Sequence, residues 1–423
     1  MATLKYKPLN LGRWIVWGGT ALVMIMLPLI FTGGFTLTLM SQIGIGIIFA
    51  LSYNMLLGQG GMLSFGHAVY SGLGAYFTVH ALNLIGKGSF YIPVTLLPLV
   101  GGLAGLVFGV IFGYVTTKKS GTTFAMISLG IGEMVAACSL MFPGFFGGEG
   151  GITTNRVIGQ PFLGITYGPA IQVYYLIMAW ALICMVAMFA WTQTPLGRMA
   201  NAVRDNPERA EFVGYDTHRV RFLTLVLASF FAGIAGGLNC INYEIVTAEN
   251  VGTLRSAGVL MATFIGGAGF FFGPVIGSIV FFTMVTAVGA MTKAWALYLG
   301  LLFLLMVLYA PGGFASLIAM HLPVLKARLM NRLWLPYAAT LVTGTVLLAG
   351  LVSVVEITYH YSLESRTAPE MKLFGFEFNV TNAMPWTVAI GLLVGGFIIS
   401  RFAWMTVGRA WSDITHIMQQ KSA

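Results

Sequence analysis

The chain has 423 residues, of which 57% are hydrophobic and only 8% are charged, and its 22 basic and 13 acidic residues give a formal net charge of +9. Apolar stretches of about 20 residues, long enough to span the ~30 Å hydrocarbon layer as helices, recur along the sequence. This composition excludes a soluble globular protein and predicts an all-α, polytopic membrane helical bundle. The basic residues lie in loops beside apolar segments, so they are expected to orient the chain in membrane lipid rather than to bind nucleic acid.

The apolar stretches begin close to the N-terminus. Lys5, Lys7 and Arg13 precede a run that predicts a first helix over about 14–32. This run is too long for the hydrophobic region of a signal peptide, and no A-x-A site follows it, so the helix is expected to be retained. Further runs and breakers predict helices at about 36–57, 66–85, 91–115, 121–142, 172–192, 222–242, 256–270, 274–291, 295–310, 335–356 and 386–404.

These helices predict two parts of the chain. About 10 of them form a transmembrane core over residues 1–320, and the last two form a hairpin with a cytoplasmic tail over residues 321–423. The outer loop of that hairpin is expected to carry Glu356, Glu364, Arg366, Glu370, Lys372 and Glu377.

The basic residues predict the orientation of the bundle. With the N-terminus inside, the predicted crossings put 16 of the 22 basic residues on the inner side, as the positive-inside rule requires. Both termini are therefore expected in the cytoplasm. The basic residues left outside or near an interface are Lys87, Arg156, Arg255, Lys293, Arg366 and Lys372.

The segment Leu196–Arg221 holds nine of the 35 charged residues of the chain. Its five arginines, at about 2.5–3.5 kcal/mol each, are too costly for the centre of a bilayer, so the segment is predicted to be a cytoplasmic loop. Asn206 suits a helix cap, Pro207 a first turn and Gly214 a left-handed end, which predicts a two-turn helix over about 207–213. The segment is either a docking element for a partner or a solvated loop with one capped turn.

Two polar features interrupt the apolar pattern. Gly58–Gly61 breaks it between the second and third helices, and irregular backbone in lipid is tolerated only where protein or a water-filled path covers it. The break is either a packed turn or part of a pathway with polar groups from Gln59, Ser64 and His67. Glu133 lies midway along the fifth helix and is a further pathway candidate. It is expected to face the bundle interior, to be paired, to be protonated or, in the alternative, to reach water near an interface.

Several kinds of site are not predicted. Cys138, Cys184 and Cys240 lie in apolar stretches without the spacing of a disulfide framework or a zinc site. The sequence contains no G-x-x-x-x-G-K-[ST] motif, no paired carboxylates and no nucleophile motif, so no catalytic residue, metal site or cofactor is expected in this chain. One glycine ridge predicts close helix packing: Gly101, Gly105, Gly109 and Gly113.

Three stretches carry a resemblance to a known family. They are ALSYNMLLGQGGMLSFGHAVYSGLGAY (Ala50–Tyr76), GRMANAVRDNPERAEFVG (Gly197–Gly214) and FIGGAGFFFGPVIGS (Phe264–Ser278). In this order they resemble the LivM-like permeases, which are membrane subunits of bacterial ABC importers for branched-chain amino acids and related substrates. The resemblance covers about Met40–Met320, stops before the C-terminal hairpin, and implies a multi-pass protein of the bacterial inner membrane.

The resemblance also implies partners and contact residues. A second, LivH-like permease would form the translocation pathway with this chain, and two cytoplasmic ATPase subunits would bind ATP and Mg²⁺. The matching positions of the ATPase-coupling loop are Arg198, Arg204, Asp205, Asn206, Arg209, Ala210 and Gly214. A periplasmic substrate-binding protein would dock on the outer side, where Gly147–Ile152 resembles a family stretch but lacks its threonine. The candidate contacts there, which are expected to be exposed, are Glu149, Arg156, Glu244 and Glu249.

An ion- or proton-coupled secondary transporter of a small solute is the alternative function. Such transporters need no ATPase and often show inverted repeats, whereas this chain has no clear internal repeat and one clear membrane acid. A membrane enzyme is disfavoured because no catalytic constellation is evident. No residue pattern identifies the solute.

Overall fold

The computed structural model describes residues 11–88, 92–157, 164–363 and 369–422. These residues are mainly helical, which confirms the predicted all-α membrane bundle. The first helices are α1 (Leu11–Ile30), α2 (Gly34–Asn54), α3 (Ala68–Gly86), α4 (Leu97–Thr116), α5 (Gly121–Met141), the single turn α6 (Pro143–Phe146), α7 (Ala170–Gln193), α8 (Pro195–Asp205), α9 (Pro207–Phe212) and α10 (Thr217–Tyr243). The others are α11 (Thr253–Gly266), α12 (Gly273–Phe282), the single turn α13 (Gly289–Met291), α14 (Trp295–Tyr309), α15 (Gly313–Lys326), α16 (Asn331–Leu363) and α17 (Ala383–Ser422).

The described residues form two compact units. The core unit contains those up to Ala290 together with Leu299–Ser316. The C-terminal unit contains Met291–Tyr298 and the described residues from Leu317 onward. The predicted domain boundary between residues 320 and 321 stays a prediction.

Helix α10 lies at the centre of the core unit, packed against α3 and α4. A Cβ at Gly105 would come within 3.0 Å of the Cα of Gly233, and a Cβ at Gly101 within 2.5 Å of the carbonyl oxygen of Gly233. Small residues at such crossings let helix backbones approach closely. The glycine ridge of α4 therefore faces α10 and fixes the distance between the two helices.

Judged by length and composition, fewer described helices can span a membrane than the ten core helices and two C-terminal helices that the sequence predicts. Eight described helices are long and apolar enough to cross a membrane, and α14 with α15, bent by 47° at a short break, make a ninth if counted together. The predicted spans outside this count are α3, α11 and α1, the last counted over Ile15–Ile30 alone. Helix α11 has 14 residues, or ~21 Å at 1.5 Å per residue, which is shorter than the hydrocarbon layer. Helix α3 is largely buried inside the core unit, so it does not need a strongly apolar surface.

The C-terminal unit is built on two long helices. Helices α16 and α17 pack along each other, with Gly350 against the backbone of Leu393 and Gly396 against that of Leu347. Between them, the strands β3 (Glu370–Leu373) and β4 (Phe376–Asn379) pair antiparallel. A short hairpin thus occupies part of the predicted outer loop.

Two polar clusters hold the C-terminal unit together. Glu356 Oε1 accepts hydrogen bonds from Thr292 Oγ1 at 2.7 Å and from Tyr298 Oη at 2.8 Å. The prediction that Glu356 belongs to an outer loop is therefore wrong: it lies inside α16, where two hydroxyls satisfy its carboxylate. Glu364 and Arg366, like Lys5 and Lys7, lie outside the described residues.

The second cluster joins three helices. Tyr337 Oη lies 2.6 Å from His321 Nε2 and accepts a hydrogen bond from Trp411 Nε1 at 2.9 Å. These residues belong to α15, α16 and α17, and α15 is a helix that the sequence does not predict.

Candidate functional site

Helices α8 and α9 and the first residues of α10 occupy most of the segment Leu196–Arg221, for which the sequence predicts a loop. The prediction is wrong for α8, a helix in which Gly197, Ala200 and Val203 recur every three residues and form a buried face. The charges of the opposite face conceal this pattern when only composition is considered. Asn206 is the one residue between α8 and α9, so this part of the segment consists of two consecutive helices rather than an open loop.

Helix α9 begins and ends where its local sequence predicts. Asn206 caps it, since Asn206 Oδ1 accepts a hydrogen bond from the amide of Arg209 at 2.9 Å. Gly214 follows with a φ of 92°, the left-handed conformation that suits glycine. The helix covers Pro207–Phe212, close to the predicted 207–213.

Helix α8 is bonded to the break that follows α2. Asn201 Nδ2 donates a hydrogen bond to Gln59 Oε1 at 2.8 Å, and Arg204 Nη1 donates one to the carbonyl of Gly58. Gly61 has a φ of 65°, and a Cβ there would lie 2.6 Å from Arg204 Cγ, so glycine is needed for this close approach. A residue assigned to the coupling loop, Arg204, is thus in direct contact with the predicted pathway break.

The end of α9 is an exposed apolar surface, which we call the α9 tip (Phe212 and Val213). Phe212 is 90% exposed and Val213 is 71% exposed. Ala210 is buried and packs inward. The other exposed positions of the predicted coupling loop are Arg198, Arg204, Asp205, Asn206, Arg209 and Gly214, of which Arg204 and Asp205 form an ion pair at 2.9 Å.

Other helices pack against the segment between α2 and α3, although Gly61 is exposed. Helix α2 continues as a π-helix over Met55–Gln59. From Gly60 to the start of α3 the backbone forms neither helix nor strand. The amide of Phe65 donates to Ser128 Oγ at 3.0 Å, and the amide of Ala68 donates to Ser256 Oγ at 2.9 Å. Serines of α5 and α11 thus bind amides that irregular backbone would otherwise leave unsatisfied in a membrane.

Ser64 and His67, both predicted pathway candidates, are buried within this break. Ser52 Oγ lies 2.9 Å from His67 Nε2. The imidazole ring stacks on Phe49, with the ring centroids 5.5 Å apart and the planes inclined by 13°. His67 is therefore held between a hydroxyl and an aromatic ring of α2.

Glu133 lies on an exposed face of α5 and accepts a hydrogen bond from Thr253 Oγ1 at the start of α11. The expectation that Glu133 is paired therefore agrees with the structure, whereas the expectation that it faces the interior of this chain does not. A carboxylate exposed midway along an apolar helix requires water or a polar group from outside the chain.

The four candidate contact residues on the predicted outer side differ in their surroundings. Glu149 and Glu249 are exposed as expected. The expectation is wrong for Arg156, whose side chain is 16% exposed because its guanidinium donates to backbone carbonyls, including that of Tyr167 at 2.7 Å. Glu244 is half-buried, and its Oε1 accepts the amide hydrogen of Arg156 at 2.8 Å.

Arg156 and Glu244 together anchor a small two-stranded sheet. Strand β1 (Ile152–Thr153) follows the glycine-rich stretch and pairs antiparallel with β2 (Ile245–Val246), just after Glu244. Arg156 and Glu244 therefore fix the conformation of the loop that contains β1, whereas Glu149 remains accessible.

A cleft of about 660 Å³ opens on the surface of the core unit. Aromatic and aliphatic side chains form most of its wall, among them Ile45, Phe49, Val259, Phe281 and Phe282. Among its lining residues, Arg255 is the one basic side chain. Leu254, also a lining residue, is 87% exposed, which shows that the cleft is open to the outside of this chain.

Residues 35–311 match the model of a family described as branched-chain amino acid transport system / permease component. This range contains α8, α9, the break and the cleft. The chain belongs to this family. As predicted, the permease is a multi-pass membrane protein of a transport family, and its C-terminal hairpin lies beyond the matched range.

Curated relatives of the permease carry the same description. It is 27% identical over 303 residues to the high-affinity branched-chain amino acid transport system permease protein LivM of Escherichia coli, covering 67% of this chain and 69% of the relative. A probable branched-chain amino acid transport permease protein LivH of Methanocaldococcus jannaschii is 24% identical over 229 residues, covering 51% of this chain and 67% of the relative. BraD of Pseudomonas aeruginosa, a further high-affinity branched-chain amino acid permease, is 21% identical over 242 residues, which is 55% of this chain and 78% of the relative. No solved structure matches the chain significantly.

The cleft of the permease is the feature that the sequence reasoning missed. The predicted crossings put Arg255 outside the membrane or near an interface, just before the apolar run predicted at 256–270. An arginine next to an apolar run was the available signal, but its neighbours in space, such as Phe49, are distant in the sequence.

Among the described residues, no group of three His, Cys, Asp or Glu side chains is arranged to hold a metal ion.

Proposed function

We propose that this permease is the membrane subunit of an ABC importer for branched-chain or related amino acids in the bacterial inner membrane. A second, LivH-like permease forms the translocation pathway with it, and two cytoplasmic ATPase subunits bind ATP and Mg²⁺ and power transport. A periplasmic substrate-binding protein delivers the solute. The observation that carries the proposal is the bonding of α8 to the Gly58–Gly61 break, both within the range that matches the family.

The proposed coupling starts at the α9 tip. An exposed apolar pair beside the exposed Arg209 suits a groove on an ATPase subunit, because a buried apolar anchor with charged groups around it is the usual arrangement of a strong protein contact. Asn206 and Gly214 fix the ends of α9 and so hold the tip in one orientation.

Helix α8 is the proposed link from the ATPase to the pathway. A movement of α9 displaces Asn201 and Arg204, and these side chains are bonded to Gln59 and to the carbonyl of Gly58. From Gly60 to His67 the backbone forms neither helix nor strand, so this part of the chain can change conformation more readily than the adjoining helices. Displacing it moves Ser64 and His67 within the core unit and changes access to the pathway.

The remaining candidate residues have three proposed roles. Glu133 is exposed on the core unit, so it is proposed to face the pathway or the second permease. Glu149 and Glu249 are proposed contacts for the binding protein, whereas Arg156 and Glu244 act indirectly by holding the loop. The positive-inside pattern supports a cytoplasmic α9 tip and two cytoplasmic termini.

Reconstitution in liposomes tests the proposal. The chain purified alone is expected to hydrolyse no ATP, and the complete complex with binding protein is expected to hydrolyse ATP and to accumulate L-leucine. An uptake by this chain alone that an uncoupler abolishes and ATP does not affect would instead support the ion- or proton-coupled alternative.

Charge reversal at Arg209, beside the α9 tip, is the first specific prediction. Arg209→Glu is expected to lower ATP-driven leucine uptake roughly ten-fold or more, because a like-charged or unpaired group at a protein interface costs several kcal/mol. The matched control is Arg332→Glu, an exposed arginine of the C-terminal unit. Uptake measured per assembled complex should fall only in the first variant, and equal uptake in both would contradict the docking role.

A further inference from the structure

We propose that Arg255 and its cleft form a binding site for the carboxylate of an α-amino acid with an apolar side chain. The site lies on the core unit and is open to the outside of this chain. The proposal rests on the proposed function, because it takes the transported solute to pass this surface. It goes beyond that function in naming the group that holds the solute.

The Arg255 side chain is held in place but not neutralised. Its Nη1 donates a hydrogen bond to Asn250 Oδ1 at 2.7 Å, and its Cζ lies 5.8 Å from the centre of the Phe49 ring. Within the part of the chain that the structure describes, no carboxylate forms an ion pair with it. These two contacts orient the guanidinium of Arg255, and its other N–H groups are available to donate hydrogen bonds to a ligand.

A guanidinium in this state is suited to bind a carboxylate. Its planar array of N–H donors matches the two oxygens of a carboxylate and forms two parallel hydrogen bonds. Leaving such a charge unpaired beside an apolar helix is costly, and charged groups in membrane segments commonly mark the path of a solute or ion. The open cleft allows a solute to supply the missing partner.

The rest of the cleft fits the other parts of an amino acid. Phe281, Phe282 and Val259 offer apolar surface for a branched side chain. Glu249 also lines the cleft and is exposed, so the ammonium group meets a negative charge at the same site. A volume of about 660 Å³ is within the range of small-molecule sites and leaves room for a partner surface to close the opening.

The site is also connected to the break. Phe49 contacts both Arg255 and His67, and His67 lies at the end of the irregular segment that α8 holds at its other end. A change in the break therefore moves a ring that positions the guanidinium. The affinity of the cleft for a carboxylate would then differ between the conformations of the transporter, which is what vectorial transport requires.

A labelling experiment on the complete complex tests the site. Leu254→Cys places a thiol at the exposed rim, in a Cys138→Ser background that leaves the buried Cys184 and Cys240 unchanged. L-Leucine is expected to slow maleimide labelling of this thiol, whereas L-leucinamide, which has no carboxylate, is not. Equal protection by the two compounds, or no protection by leucine, would overturn the proposal.

Substitution of the arginine gives the second measurement. Arg255→Gln is expected to abolish the protection by leucine and to lower leucine uptake roughly ten-fold or more, since a charge-assisted pair is lost. Arg255→Lys should restore part of both, because it keeps the charge without the planar donors. The control Arg332→Gln should behave as the unsubstituted protein, and unchanged protection in Arg255→Gln would overturn the proposal.

The two proposals fail in different ways. If the unsubstituted complex takes up no leucine in an ATP-dependent manner, the proposed function fails. If it takes up leucine but leucine does not protect the thiol at position 254, only the carboxylate site fails. The labelling comparison of leucine with leucinamide needs no substitution at Arg255, so it decides the matter even if Arg255→Gln does not assemble.

Discussion

The core unit and the C-terminal unit cover their apolar helices in different ways. In an 18-residue stretch of α10, 89% is buried within the chain, whereas the corresponding stretches of α16 and α17 are 11% and 17% buried. The core unit thus buries its central helix by itself, while the long C-terminal helices depend on lipid or on another protein for their cover. Side-chain substitutions should therefore act through packing in the core unit and through a few polar clusters in the C-terminal unit.

The largest effect is expected from adding a side chain at the α4–α10 crossing. Gly105→Leu requires the two helices to separate, because even a Cβ at this position lies 3.0 Å from the Cα of Gly233. Overpacking of this kind costs roughly 1–3 kcal/mol or more, and we expect most of the assembled complex to be lost. The yield of complex in size-exclusion chromatography measures the loss.

The matched control for this substitution lies in α17. A Cβ at Gly391 has no neighbour within 4 Å, so Gly391→Leu adds a side chain without a clash. We expect it to assemble as the unsubstituted protein does. Equal losses from the two substitutions would show that the two units do not differ in packing as described.

A smaller effect is expected at the carboxylate of the C-terminal unit. Glu356→Leu removes the acceptor of two hydroxyls and should destabilise this unit by about 1–3 kcal/mol, the usual cost of unsatisfied buried polar groups. Glu356→Gln keeps an oxygen that can accept both hydrogen bonds and should cost much less. The rate of limited proteolysis within residues 317–422 measures the effect, and similar rates for the two variants would contradict this role of the carboxylate.

The smallest effect is expected at α9, an exposed helix of the core unit. Asn206→Ala removes the cap of α9 and should destabilise this helix by about 1 kcal/mol. Because the tip would then lose its fixed orientation for part of the time, leucine uptake is expected to fall by only a few-fold. Asn206→Asp retains a capping oxygen and should restore uptake, so a loss of the same size in both variants would exclude capping as the cause.

Local features of the molecule could be predicted from the sequence. The ends of α9 follow from Asn206, Pro207 and Gly214, because capping and left-handed termination depend on residues within one helical turn. The glycine ridge of α4 likewise predicts close packing. In both cases the residues that determine the structure are neighbours in the sequence.

Features that depend on distant partners could not be predicted. Glu133 is bonded to Thr253 from another helix, and Glu356 is bonded to hydroxyls of residues 292 and 298. Sequence patterns show that a carboxylate needs a partner but not which residue supplies it. For the same reason the sequence does not predict the cleft around Arg255, since it is assembled from α2, α10, α11, α12 and the segment after α10.

The central claim is that α8 transmits movement from the α9 tip to the break. The most direct test is the double variant Asn201→Leu with Arg204→Ala, which removes both hydrogen bonds from α8 to the break and leaves α9 intact. ATP hydrolysis and leucine uptake are measured in the same liposomes. The account predicts hydrolysis within about two-fold of the unsubstituted complex and uptake reduced roughly ten-fold or more. An unchanged amount of leucine transported per ATP would contradict it.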